Sequence, residues 1–341
     1  MDNSTSSFRI FSGINVSHWL SQSDLHGSAR AARFTKDDIL QITDSGFDHV
    51  RMPVDETQLW LDDGTVDNEA FDLLNDGIYH CTQQNLRVIV DMHILKSHYF
   101  NDNKQPILYT DKKELDHFAS LWSQLNERLQ EWGPDLLAFE ILNEPKAENN
   151  GDWNRVSSTI FNHLRSLDKS RTIILGSNWY CKTDTFSDLE VPNDTRQLLS
   201  FHFYDPMLVT HYRASWTNLY GYDGPINYPG FPVDDFTAAS LTEPVRSFVQ
   251  RENYYIDRNT IFEKIKPAID KRDQTGINLY CGEFGCIRHT PHNIKCNWYR
   301  DIVSVFRELG ISFTHWDMRG DFGILNGTDE NRDIIDILTK K

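Results

Sequence analysis

Two glutamates carry the strongest chemical signal in the chain: Glu144 within Asn143-Glu144-Pro145 and Glu283 within Gly282-Glu283-Phe284. Two carboxyl groups facing each other across a cleft can divide the work of a reaction. One, held protonated, helps a leaving oxygen depart, while the other, ionised, attacks or accepts a proton. When about 5 Å separates them, the ionised group reaches an anomeric carbon directly, which is the arrangement for double displacement at a glycosidic bond. Arg51, His93, Asn143, His202, Tyr204 and Trp316 are the other candidates. Arg51 and the Tyr204 hydroxyl can keep Glu283 ionised by pairing and hydrogen bonding, and proximity of like charge is expected to raise the pKa of its partner. Each candidate alone has an ordinary structural use, as a buried ion pair, a satisfied core histidine or a packed indole. Gathered in one cleft, their desolvation is costly unless partners or function compensate.

The elements that must gather them are legible as a rhythm. The runs 11–16, 47–52, 86–92, 136–142, 171–176, 198–204, 277–281 and 311–316 read as strands, with helical periodicity near 35–45, 68–84, 113–132, 152–167, 256–270 and 294–309. Alternation without hairpin signals implies parallel pairing, and eight such strands suggest a closed (β/α)8 TIM barrel, one domain over 1–341 with elaborated βα loops. An open doubly wound sheet is the alternative. It calls for a Gly-rich phosphate turn that Gly13-Ile14-Asn15-Val16 does not supply. A barrel collects its chemistry at the carboxyl ends of its strands. Arg51 is expected to end the second strand, His93 the third, Asn143 and Glu144 the fourth, His202 and Tyr204 the sixth, Glu283 the seventh and Trp316 the eighth. Strands four and seven face each other across the mouth, so the two glutamates oppose.

Composition narrows the partners. In 341 residues, 39% hydrophobic and 12% aromatic, there is a full core and a surplus of rings able to stack on sugars, with Trp316 the best platform. The stretch 205–235 holds Tyr212, Trp216, Tyr220, Tyr222, Tyr228 and Phe231, of which half are expected to pack the loop itself. Trp19, Trp153 and Trp179 also fall after strand ends, and each reads equally as a subsite ring or as plain packing. A net charge of −16 argues against nucleic acid and anionic membrane as partners. No long apolar run appears and residues 1–10 lack leader features, so the chain reads as a soluble monomer, secreted or periplasmic with a leader removed, otherwise cytoplasmic. Asn3, Asn15, Asn193 and Asn326 head glycosylation sequons. Five scattered cysteines argue against a disulfide framework, and Cys281, Cys286 and Cys296 have poor zinc spacing. Asp91-Met92-His93 prompts a metal-dependent hydrolase as a rival, but Asn15-Val16-Ser17-His18 lacks the paired histidines of that class, and no inner strand end offers a Schiff-base lysine. A silent carbohydrate-binding barrel is disfavoured by the intact glutamates. No metal and no cofactor is expected.

The segments 139–145 (FEILNEP), 280–285 (YCGEFG), 201–204 (FHFY), 46–54 (GFDHVRMPV), 88–93 (VIVDMH) and 314–316 (THW) together resemble glycoside hydrolase family 5, the cellulase family, in order and over nearly the whole chain. The resemblance implies Glu144 as general acid/base, Glu283 as nucleophile, and Asn143 as the holder of the sugar 2-hydroxyl. It further implies that Arg51 and Tyr204 tune Glu283, that His93 and His202 line the glycon subsite, and that Trp316 floors it. The implied activity is a retaining endo-β-1,4-glucanase acting on β-glucan. A β-mannanase, or another β-glucan hydrolase of exo or mixed-linkage action, is the alternative.

Overall fold

The computed structural model describes residues 8–102, 104–325 and 327–340. Eight parallel strands close in chain order: β1 (Ser12–Asn15), β2 (His49–Asp55), β3 (Arg87–Ile94), β4 (Leu137–Glu140), β5 (Thr172–Gly176), β6 (Gln197–Phe203), β7 (Leu279–Phe284) and β8 (Ser312–His315). Pairing of β1 with both β2 and β8 seals the barrel. All eight expected strands are present. One placement changes: β2 continues to Asp55, so Arg51 lies inside the strand rather than at its end.

Outside the barrel run α1 (Lys36–Asp44), α2 (Asn68–Gln83), α3 (Lys112–Leu129), α4 (Asn150–Leu167), α5 (Arg258–Thr275), α6 (His292–Leu309) and α7 (Asp329–Thr339). Their starts are written in the sequence. Thr35 and Asp38 form a reciprocal capping box, and Asp67, Asp111, Asn149 and Asp257 each accept a first-turn amide. Each such cap contributes about 1 kcal/mol. The helix α5 outruns its expected end near 270, because its polar last turns stay helical until Gly276 stops them. No long helix follows β5; a 3-10 segment over Thr183–Asp188 packs on α5 in its place. The α7 helix was not among the expected elements.

Strand alternation sorts side chains between two cores. Val88, Val90 and Met92 of β3 join the large core under the helices, whereas Ile89 joins a small cluster with Phe8, Ala138, Ile174, Leu198 and Tyr280. That cluster takes one residue from each of β3, β4, β5, β6 and β7. Two residues further along β3, β4 and β6 come Asp91, Glu140 and Ser200, and beyond them His93 and His202. The barrel interior is therefore apolar at one end and increasingly polar towards the strands' carboxyl ends.

Several surface expectations are decided by burial. Asn15 has no exposed surface and its amide donates to the carbonyls of Gly282 and His315 at 3.1 and 3.2 Å, so this sequon is a barrel position rather than a glycosylation site. Asn193 is exposed, and Asn3 and Asn326 lie outside the described residues. All five cysteines are buried and free. No helix among the described residues is long and apolar enough to cross a membrane.

Close packing at the first strand yields a test. A Cβ on Gly13 would stand 2.4 Å from the His49 imidazole, which is pinned by Asp48 and by Thr314 at 2.6 and 2.8 Å. Gly13→Ala is expected to destabilise the fold by roughly 1–3 kcal/mol, the scale of overpacking. Urea denaturation measures it, and an unchanged midpoint would show that His49 can move aside.

Candidate active site

The site is organised around a buried guanidinium. Arg51 is 0% exposed and spends all of its nitrogens. Its Nε donates to Glu140 at 2.6 Å, Nη1 to Asn15 at 3.0 Å and to Glu283 at 2.8 Å, and Nη2 to Asn143 at 2.9 Å. Asp91 is also within 3.0 Å of Nη2. One residue of β2 is thereby tied to β1, β3, β4, β7 and the loop after β4. Glu140 was not singled out from the sequence, Asn15 drew attention only as a glycosylation sequon, and Asp91 only as a possible metal ligand. A signal existed: single charged residues at alternate positions of otherwise apolar strands, as in Val90-Asp91-Met92 and Phe139-Glu140-Ile141.

Glu283 is aimed by a bulge. The pairing of β6 with β7 slips between Phe201 and His202, so that His202 comes opposite Glu283 and Gly282 is left over. A Cβ on Gly282 would press on Ser200 Oγ at 2.9 Å and on His202 Nε2 at 3.1 Å, which explains the glycine. Bulges of this kind re-aim a side chain. The carboxylate then receives Arg51 on one oxygen and the Tyr204 hydroxyl on the other, at 3.0 Å.

Glu144 is held differently. It follows β4 with φ +43, the left-handed region that costs a non-glycine residue of order 1–3 kcal/mol and is tolerated where the surroundings over-determine the backbone. The preceding amide of Asn143 donates to Met92 at 2.9 Å, and Pro145 follows. The Glu144 carboxyl touches His202 Nδ1 at 3.0 Å, and the same nitrogen is 3.6 Å from Glu283. One oxygen of each glutamate and the His202 nitrogen all lie within 4.8 Å of one another. His202, expected to line a subsite, instead stands between the two carboxyls with 2% of its side chain exposed.

Burial is the largest influence on both acids. It pushes Glu144 up to about 8 against a weaker opposing pull from Arg51. It pushes Glu283 up to about 7, with His202 and Arg51 pulling down and Glu144 adding a smaller upward push. Desolvation, rather than the like charge expected from the sequence, is the larger influence, and it raises Glu283 as well as Glu144. Burial lowers His202 as well, so its imidazole is neutral at the pH where the acids titrate.

The remaining candidates frame these groups. The His93 ring lies parallel to Trp316 with centroids 5.8 Å apart, and its Nδ1 is fixed by Asp91 at 2.8 Å. Among the described residues, His93 Nε2 and Asn143 Nδ2 are buried without a protein partner. Trp19 and Trp153 belong to the core, while Trp179 is 38% exposed. In the loop after β6, Tyr212, Tyr222 and Tyr228 are buried and Trp216, Tyr220 and Phe231 are exposed, an even division as expected. Trp216 reaches the centre through Phe322, whose ring is 6.3 Å from Trp216 and 5.9 Å from Tyr204. The structure thus brings all eight candidates to one end of the barrel.

Comparison with known proteins agrees with this geometry. The family described as cellulase (glycosyl hydrolase family 5) matches residues 4–321. Endoglucanase C of Acetivibrio thermocellus is 29% identical over 96% of this chain and 98% of its own length. Cellodextrinase A of Ruminococcus flavefaciens is 31% identical over 89% of this chain and 84% of its own. Among solved structures, endoglucanase Cel5A of Thermotoga maritima superposes with a TM-score of 0.75 at 22% identity, covering 96% of both chains.

The guanidinium network makes a stability prediction. Glu140 is 0% exposed, so Glu140→Ala leaves part of a buried charge uncompensated and is expected to cost about 3–5 kcal/mol. Chemical denaturation reads the loss directly. A cost below about 1 kcal/mol would mean that Asp91 and Glu283 hold Arg51 without it.

Proposed function

The chain belongs to the cellulases of glycosyl hydrolase family 5, and from that premise we propose a retaining endo-β-1,4-glucanase with Glu144 as acid/base and Glu283 as nucleophile. One observation carries the proposal: oxygens of the two carboxyls approach within 4.8 Å. An inverting enzyme separates its carboxyl groups by roughly 6.5–9.5 Å to admit a water, whereas direct attack needs about 5 Å.

The steps follow from the surroundings of each group. Glu144 gives its proton to the glycosidic oxygen as Glu283 attacks the anomeric carbon, and the bond to the leaving sugar breaks. A water then approaches from the vacated face. Glu144 takes its proton, the oxygen bonds to the anomeric carbon, and Glu283 is released as carboxylate. The spare Asn143 amide is placed for a sugar 2-hydroxyl, His93 Nε2 for a neighbouring hydroxyl, and Trp316 for the apolar face of the ring. Internal attack on a long chain is supported by the exposed indoles Trp216 and Trp179, which extend the aromatic surface, and by the relative named an endoglucanase. The substrate in this reading is a β-1,4-linked glucan.

Ionisation predicts a bell-shaped kcat/KM. Below about 7 Glu283 takes up a proton and cannot attack; above about 8 Glu144 loses its proton and cannot assist departure, so the maximum falls between these values. With an aryl cellobioside whose leaving group needs no protonation, Glu144→Gln is expected to lose the alkaline limb and keep the acid limb. On β-glucan the same variant should fall by roughly 10²–10⁴-fold. Loss of the acid limb instead would reverse the two roles.

Stereochemistry tests the double displacement itself. Proton NMR during the first minutes of hydrolysis should show the β-anomer of the new reducing end, and viscosity should collapse well before reducing sugar accumulates. An initial α-anomer would refute retention. Slow viscosity loss with early disaccharide release would refute internal attack.

A further inference from the structure

A second group of metal-binding side chains lies outside the glutamate pair. His292 and Cys296 sit on α6 and Asp333 on α7, with a ligand atom from each within 4.8 Å of the others. The i, i+4 spacing puts the imidazole and the thiol on one face of α6. Asp333 arrives from the helix packed beside it. His292 Nε2 is 3.1 Å from Asp333 Oδ2 and 3.5 Å from Cys296 Sγ.

Those two separations are close to the edges of a coordination polyhedron, but Cys296 Sγ also lies 3.8 Å from Nδ1, beside the ring, so the imidazole must turn to aim one nitrogen at a shared ion. With zinc bonds of about 2.3 Å to sulfur and about 2.0–2.1 Å to nitrogen and oxygen, a tetrahedral centre sets sulfur and nitrogen about 3.5 Å apart and nitrogen and oxygen about 3.3 Å apart. We propose that His292, Cys296 and Asp333 form a binding site for a thiophilic divalent cation, zinc above all, that clips α7 to α6. A thiolate and a carboxylate neutralise the ion, and a water completes the fourth position. Asp333 is 63% and His292 29% exposed, so an ion enters from solvent while buried Cys296 closes the inner side. Burial raises the Cys296 thiol, and around it Asp333 and Glu330 of α7 act against Arg300 and Lys295 of α6. Cysteine spacing alone does not disclose this group, because the neighbours of Cys296 are a histidine one turn away and an aspartate beyond the eighth strand, and not Cys281 or Cys286.

Cobalt substitution of the chelator-treated full chain is the test. Co²⁺ should bind with a thiolate-to-cobalt charge-transfer band and the visible bands of tetrahedral coordination. Cys296→Ser should lose the charge-transfer band, and Asp333→Asn, a surface change that leaves folding intact, should weaken Co²⁺ binding about tenfold or more. Zn²⁺ at a hundredfold excess over Kd should raise Tm by about 4 °C in the native protein but not in His292→Ala. The other four thiols are buried elsewhere, and the Glu144–His202–Glu283 cluster carries no sulfur, so neither reproduces the band. Cobalt bound without a thiolate band, a band that survives Cys296→Ser, or equal Tm in native and His292→Ala protein would overturn the site and leave only a hydrogen-bonded cluster.

Discussion

A guanidinium with no exposed surface must be neutralised where it lies, and Arg51 is surrounded by three carboxylates from β3, β4 and β7. The rest of the site depends on that inequality. One cation cannot keep three buried acids ionised, and Glu144 adds a fourth nearby. Burial raises Asp91 to about 7 and also raises Glu140, which signals that the network holds protons instead of carrying its full negative charge. The share each acid receives of Arg51 then decides its state. Glu283 takes a direct 2.8 Å contact and a tyrosine hydroxyl, whereas Glu144 has only a neutral imidazole. The asymmetry between the two glutamates is thus built one layer below the cleft.

That layer also explains which parts of the site the amino-acid sequence discloses. Apart from Arg51, which lies inside β2, the candidates lie near or beyond the carboxyl ends of their strands, where polar residues interrupt apolar runs and can be read as a set. Asp91 lies inside β3, and Glu140 and Asn15 close short strands, where a polar residue beside isoleucine or phenylalanine looks like an exposed position of an amphipathic strand. Only closure of the barrel turns those positions inward, and closure is a property of all eight strands together. Helix starts were legible because Asp, Asn and Thr caps act within one turn. The end of α5 was not, since its last turns are polar and lack the apolar period that marks a helix before Gly276 stops it, and the existence of α7, which packs on α6, was missed as well. The segment after β5 shows the same limit: its 3-10 turn is stabilised by α5, about eighty residues later in the chain.

His202 illustrates how placement revises meaning. Read along the chain, a histidine between two phenylalanines of a strand suggests a subsite wall. In the barrel the bulge at Gly282 brings it opposite Glu283, and its ring fills the gap to Glu144. The ring gives Glu144 a polar partner in a buried site.

The same electrostatics lets the proposed double displacement run to completion. While Glu283 is ionised, its charge is set against that of Arg51, and desolvation keeps the proton on Glu144. Formation of the glycosyl ester removes the charge of Glu283 without moving Arg51. The guanidinium then has one fewer carboxylate to satisfy, so its pull on Glu144, already the second-largest influence there, is less compensated and the Glu144 pKa falls. Having just given its proton to the leaving oxygen, Glu144 is thereby favoured as a carboxylate when water arrives, and it accepts the proton of that water. Release of Glu283 restores the negative charge beside Arg51 and with it the higher Glu144 pKa. In the proposed cycle a fixed cation shared between acids would thus alternate the proton affinity of one carboxyl with the covalent state of the other.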